Sequence, residues 1–114
     1  MTEDKLFLDE ALGAQPFRFD ASVARVFPDM LKRSIPGYAA SLEAIGALAA
    51  RFAKPGTRCY DLGCSLGGAA IAMRQGIRAP DCEIVAIDNA PAMVERCREI
   101  VAADDERTGG TTPI

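Results

Sequence analysis

The residues with the clearest chemical capacity lie in one run, Tyr60-Asp-Leu-Gly-Cys-Ser-Leu-Gly-Gly68, where a short apolar stretch passes straight into a glycine turn and a helical pattern. Glycine at position 63 lets the backbone turn tightly and approach a ligand, and Gly67 or Gly68 lets the next helix start close to it. Such a turn offers main-chain N–H groups and the positive end of a helix, which suits a carboxylate or a phosphate. A tight turn without a ligand is the simpler reading of the glycines alone. Asp88 adds weight. It closes the next apolar run, Glu83-Ile-Val-Ala-Ile-Asp88, 21 residues after Gly67. A carboxylate there can accept both hydroxyl protons of a ribose, and an acid about 20 residues beyond a glycine turn is a nucleoside-site spacing. Asp88 and Asn89 can also serve as caps for a helix starting at Pro91. Turn and acid together describe a nucleoside-binding constellation.

The details narrow the nucleoside. A nicotinamide fingerprint needs G-x-G-x-x-G, but serine stands at position 65, and no G-x-x-x-x-G-K-[ST] phosphate loop is present. Dinucleotides and ATP lose weight. With no histidine in the chain, the usual general base and every Ser-His or Cys-His nucleophile are excluded. Cys59, Cys64, Cys82 and Cys97 contain no C-x-x-C pair, which argues against zinc and leaves small buried thiols as the expectation. Thirteen Lys and Arg against sixteen Asp and Glu give a net charge of -3 with no long block of either sign, so no nucleic-acid face is expected. The opening MTEDKLFLDE has no basic start with an apolar run, and no stretch approaches a membrane span. A cytoplasmic protein without membrane contact is the expectation.

A chain of 114 residues is one domain at most. Residues 1–16 read as a loose arm, with order beginning near Phe17. A helix starts at Asp20, with Val23, Val26, Phe27, Met30 and Leu31 on one face, and Pro28 is expected to break or restart it. Ser34-Ile-Pro-Gly-Tyr38 opens a second helix, with Pro36 in its first turn and Leu42, Ile45, Leu48, Ala49 and Phe52 along it. Arg58 to Leu62 reads as a short buried strand, Ala69 to Gln75 as a helix, Glu83 to Asp88 as a second strand, and Pro91 to Ala102 as a last helix. Two apolar strands joined by a helix form a βαβ unit with parallel strands. Two strands alone make a marginal sheet, so the architecture reads as unfinished.

The pattern Asp61-x-Gly63-x-x-x-Gly67, closed by Asp88, is similar to the first two motifs of class I S-adenosylmethionine-dependent transferases, in which the turn receives the methionine part and the acid holds the ribose. The flanks narrow the likeness. Val26-Phe-Pro-Asp-Met30, Arg33-Ser-Ile-Pro-Gly-Tyr38, Pro55-Gly56 and Ala86-Ile-Asp-Asn-Ala-Pro-Ala-Met-Val-Glu-Arg-Cys97 resemble the carboxy-S-adenosyl-L-methionine synthases of transfer-RNA wobble modification, from about Phe17 to about Arg98. The resemblance implies an α/β, Rossmann-like class I methyltransferase fold, cut after the second strand and its following helix, with an amino-terminal helical extension. Residues 17–114 would then be the amino-terminal part of a domain that binds S-adenosyl-L-methionine.

Carried over, the family's contacts to S-adenosyl-L-methionine fall on Tyr38, on Gly63, Cys64 and Ser65, and on Asp88 and Asn89. Tyr38 would donate to a carboxylate, although a buried helix tyrosine is an equal reading. Gly63 to Ser65 would flank the methionine moiety, Asp88 would take the ribose, and Asn89 would orient ribose or adenine. Cys64 would serve through size and backbone, not as a nucleophile. Met93 reads as core before adenine packing, and Arg33 as an exposed helix arginine before an anion ligand. The implied reaction converts S-adenosyl-L-methionine and prephenate into carboxy-S-adenosyl-L-methionine and phenylpyruvate, for later use in modifying wobble uridine. No catalytic residue and no metal site is assigned. A homodimer is implied, and the groups that receive prephenate would lie beyond residue 114. An ordinary methyltransferase of the same fold, or a non-catalytic remnant that binds nucleoside weakly, are the competing readings.

Overall fold

A computed structural model of the chain describes residues 20–114, and the expected loose arm at 1–16 and the start of order near Phe17 lie outside the described residues. The order of elements is α1 (Ala21–Ser34), α2 (Tyr38–Phe52), β1 (Arg58–Leu62), α3 (Gly68–Gly76), β2 (Glu83–Ile87) and α4 (Pro91–Thr108). β1 and β2 pair in parallel, with Tyr60 opposite Val85 and Leu62 opposite Ile87. Among the described residues the architecture is therefore a small α/β domain of four helices and a two-stranded sheet.

α1 begins where its cap requires, because Asp20 accepts a 3.0 Å hydrogen bond from the Val23 N–H. It then runs through Pro28 without a break, against the sequence expectation. An interior proline costs about 3 kcal/mol, but buried Val23, Ala24, Val26 and Phe27 on one side of it and packed Met30 and Leu31 on the other pin one helical face to the core. α2 departs differently. Gly37, at φ +74°, forms its cap, so Pro36 stands before the helix and not in its first turn. Of its apolar row only Ala49 is buried, while Leu48 and Phe52 are exposed by 55% and 64%.

Two small cores hold the elements. Val23, Ala24 and Phe27 of α1 meet Leu66, Ala90 and Met93 in one, which fixes Met93 as a core side chain. Ala49, Ala70, Ile77, Cys82 and Ile84 form the other, between α2, α3 and the sheet. The α2–α3 crossing is close because both helices carry glycine there: a Cβ on Gly76 would strike the backbone carbonyl of Gly46, and one on Gly46 would lie 2.9 Å from the Ala72 carbonyl oxygen. α4 extends six residues past Ala102 to Thr108. The extension is held by Arg74 of α3, which is buried and pairs with Asp104 at 2.5 Å and with Asp105. Gly109, at φ +83°, then ends the helix.

β1 is not the buried strand that its composition suggests. Its residues alternate between exposed and half-buried, with Tyr60 55% and Leu62 77% exposed. Only one face of the sheet is covered by helices among the described residues: Cys59, Ile84 and Ala86 pack in the core, whereas Tyr60, Leu62 and Ile87 do not.

Candidate functional site: two cavities that meet at a glycine turn

The turn from β1 into α3 is built by three residues in the left-handed region: Gly63 at φ +75°, Ser65 at +51° and Gly67 at +88°. Serine is strained there, and the surrounding bonds hold it. The Gly63 and Cys64 N–H groups both donate to the Ile87 carbonyl at 2.8 Å, Ser65 N–H donates to Asp88 Oδ2 at 2.9 Å, and Gly67 N–H donates to the Cys64 carbonyl at 2.9 Å. The turn is thus clasped to the end of β2. The N–H groups of Gly63, Cys64 and Ser65 are engaged in that clasp and that of Gly67 in a bond within the turn, which differs from the simple picture of a turn offering these donors to an anion.

Both later glycines leave room for a neighbouring side chain. A Cβ on Gly67 would lie 2.8 Å from Cys97 Sγ, and one on Gly68 would lie 2.9 Å from the Tyr38 hydroxyl oxygen. Tyr38, first residue of α2 and half-buried, therefore reaches over the start of α3 because nothing stands at Gly68 to stop it.

Two cavities meet at this turn. One, of about 410 Å³, is lined by Phe27 and Leu31 of α1, Tyr38 and Leu42 of α2, Asp61 of β1, and Gly63, Cys64 and Ser65. The other, of about 500 Å³, is lined by Leu62, Gly63, Ser65, Ile87, Asp88 and Asn89. Gly63 and Ser65 belong to both walls. All six residues singled out from the sequence thus border one of two adjoining spaces, with Tyr38 and Cys64 on the first, Asp88 and Asn89 on the second, and Gly63 and Ser65 between them.

Asp88 does double duty. Its Oδ2 accepts from Ser65 and its Oδ1 accepts from the Ala90 N–H at 2.9 Å, ahead of α4. The capping role and a site role are therefore compatible, since an ionised carboxylate has about four acceptor positions and only one bond to each oxygen is made here. Asn89 is exposed beside it. Arg33 lines neither cavity and pairs with Asp29 of its own helix at 3.3 Å.

The sequence motif assigns Asp61 no role, yet it is the unusual group of the site. It lines the first cavity, and its Oδ2 is buried without a hydrogen-bond partner among the described residues. Burial pushes its carboxyl above the ordinary carboxylate value, the Ala70 N–H draws it back, and the Asp88 charge raises it again. Its place as the first residue of the D-x-G pattern, two residues before Gly63, was the signal available in the sequence.

The thiols behave as small apolar groups. All four are free, and Cys64, Cys82 and Cys97 are buried. Burial, with Cys97, Asp61 and Asp88 nearby, pushes the Cys64 thiol up to about 12, so it stays protonated and is no nucleophile. Burial likewise raises Cys97. No group of three or more metal-ligating side chains occurs among the described residues. Nor is any helix among them long and apolar enough to cross a membrane.

No family model matches the chain. Curated relatives do. A carboxy-S-adenosyl-L-methionine synthase of Trichlorobacter lovleyi is 60% identical over 92% of this chain. The chain matches the amino-terminal part of carboxy-S-adenosyl-L-methionine synthases. Proteins of that name from Marinobacter nauticus and Stutzerimonas stutzeri are 54% and 50% identical over 90% and 97% of the chain. The matched region is 44%, 40% and 45% of these three synthases, so the chain spans less than half the length of its relatives.

Proposed function

We propose that this chain forms the S-adenosyl-L-methionine cradle of a carboxy-S-adenosyl-L-methionine synthase. The whole enzyme would convert S-adenosyl-L-methionine and prephenate into carboxy-S-adenosyl-L-methionine and phenylpyruvate, supplying a later carboxymethylation of wobble uridine in transfer RNA. The observation that carries the reading is the pair of cavities sharing Gly63 and Ser65, with an unpartnered carboxylate oxygen on one side and Asp88 on the other. A molecule that is an amino acid at one end and a nucleoside at the other matches that division. The fold would be the amino-terminal part of a Rossmann-like class I methyltransferase domain.

In this reading Asp61 receives the ammonium of the methionine part. A cation within reach supplies what the buried Oδ2 lacks and returns the carboxyl towards its ordinary range. The Tyr38 hydroxyl, held over Gly68, donates to a carboxylate. Gly63, Cys64 and Ser65 give the closest backbone approach, because Gly63 carries no side chain. Asp88 accepts the ribose hydroxyl protons with its free acceptor positions, and Asn89 orients ribose or adenine.

These groups bind and orient. None is a base able to take a proton from a methyl group: histidine is absent from the sequence, and the Cys64 thiol is held protonated. That inventory fits a reaction in which prephenate, on aromatising, supplies the carboxyl carbon and the driving force and expels its ring hydroxyl, which leaves as water with the proton lost from the methyl group, while the protein positions the two reactants. The enzyme is proposed to act as a homodimer in the cytoplasm, with no direct contact to nucleic acid.

The test joins this chain to the carboxy-terminal portion of the Trichlorobacter lovleyi synthase and supplies S-adenosyl-L-methionine and prephenate. Mass spectrometry is expected to find the sulfonium compound heavier by the mass of carbon dioxide, one methyl hydrogen having been replaced by a carboxyl group, with phenylpyruvate formed in equal amount. Formation of S-adenosylhomocysteine would assign methyl transfer instead, and unchanged reactants would refute the reading.

A further inference from the structure

The first cavity holds a charge that the cradle has not used. Its described lining is largely apolar, with Phe27, Leu31, Leu42, Ile45 and Ile71, and the charged residues in it are Asp61 and Lys32. Asp61 is half-buried, and its Oδ2 has no partner among the described residues. Lys32, in the last turn of α1, is exposed and so stands at the mouth. The two cations of that turn are placed differently. Arg33 lines neither cavity and pairs with Asp29, whereas Lys32 lines the first cavity and makes no hydrogen bond or ion pair among the described residues.

Tyr38 completes the group. Its hydroxyl oxygen lies 2.9 Å from the place that a Cβ on Gly68 would take, and the Asp61 carboxyl accepts from the Ala70 N–H. A hydroxyl donor and a carboxylate therefore meet over the same first turn of α3. Ser41 adds no donor, because its hydroxyl donates to the Gly37 carbonyl at 3.1 Å.

An α-amino acid carries its ammonium and its carboxylate on one carbon, so an acceptor and a donor that meet over one turn match both groups. Asp61 answers the ammonium. A hydroxyl alone leaves the carboxylate charge unbalanced in a largely apolar space, which is costly. A point charge on a flexible four-carbon stem, unpaired at the mouth, supplies the balance. Resting on the S-adenosyl-L-methionine reading above, we infer that Lys32 is a specificity-determining residue of the cradle, its ammonium pairing with the amino-acid carboxylate of that ligand beside the Tyr38 hydroxyl. The cavity thereby selects an intact amino-acid end over one that lacks the carboxylate. A lysine in the last turn of a helix also meets the negative end of that helix, but that role is indifferent to the charge of the ligand.

Calorimetric titration of the 114-residue chain with two ligands, S-adenosyl-L-methionine and its decarboxylated analogue, separates the two roles. The unsubstituted chain is compared with Lys32→Gln and Lys32→Arg. Lys32→Gln is expected to weaken S-adenosyl-L-methionine about fivefold, the upper range for a partly exposed ion pair, and to leave the analogue within about twofold of the unsubstituted chain. Lys32→Arg keeps the charge and should keep the affinity. Added salt should narrow the gap between the unsubstituted chain and Lys32→Gln. Equal affinity of these two for S-adenosyl-L-methionine overturns the inference and leaves the cradle standing. An equal weakening for both ligands overturns it as well, because that marks a structural role. An unsubstituted chain without saturable binding of S-adenosyl-L-methionine refutes the cradle reading, and the inference with it.

Discussion

Asp61 is the residue at which stability and binding oppose each other. Burial raises its carboxyl above the ordinary value, so the folded state holds a proton more tightly than the unfolded chain does. The destabilisation is therefore present in full above the raised folded value and disappears as pH falls below the unfolded value of about 3.9. Asp61→Asn should accordingly raise the denaturation midpoint at pH 7, and the advantage should shrink as the pH is lowered through the carboxylate range. The same substitution should weaken S-adenosyl-L-methionine binding about tenfold by removing a charged hydrogen bond. Urea titrations at several pH values and calorimetry measure the two effects; a variant that is both less stable and equally tight in binding would contradict this account. The sequence made the glycines and Asp88 legible because turn geometry and strand-end position have a spacing. Asp61 stayed without a role because an orphaned oxygen is a property of packing, which has no spacing.

At the scale of elements, the strands and helices were readable from apolar period and turn residues, and the disagreements came from tertiary contacts. Pro28 fails to break α1 because buried neighbours on both sides hold the helix. α4 outruns its apolar period because Arg74, on another helix, holds Asp104 and Asp105. Burial draws the Asp104 carboxyl up, but the hydrogen bonds and charges of Arg74 and Arg107 outweigh it and leave the carboxyl below its ordinary value. Removing Arg74 strands that carboxylate with Arg107 alone. Arg74→Ala is expected to cost about 3 kcal/mol, the low end for breaking a buried pair, and to unprotect amides of 103–112 before those of β2. Denaturant titration and hydrogen exchange would show it, and a loss under about 0.5 kcal/mol, within the range of ordinary surface substitutions, would mean that the network holds nothing.

For the whole molecule, composition pointed to buried strands, and the structure leaves one face of them uncovered among the described residues. The two cavities, in contrast, are bordered by local elements: α1, α2, the β1–α3 turn and the end of β2. The proposed nucleoside constellation rests on spacing within the 114 residues, whereas the proposed carboxyl-transfer chemistry rests on likeness to longer proteins. The central claim is that these two cavities form one S-adenosyl-L-methionine site hinged on Asp88. Calorimetric titration of the chain with S-adenosyl-L-methionine, beside Asp88→Ala, tests it most directly. Saturable one-to-one binding that weakens roughly tenfold to a hundredfold in the variant, as expected for a lost charged acceptor, is the predicted result; equal affinity in the two proteins would contradict it.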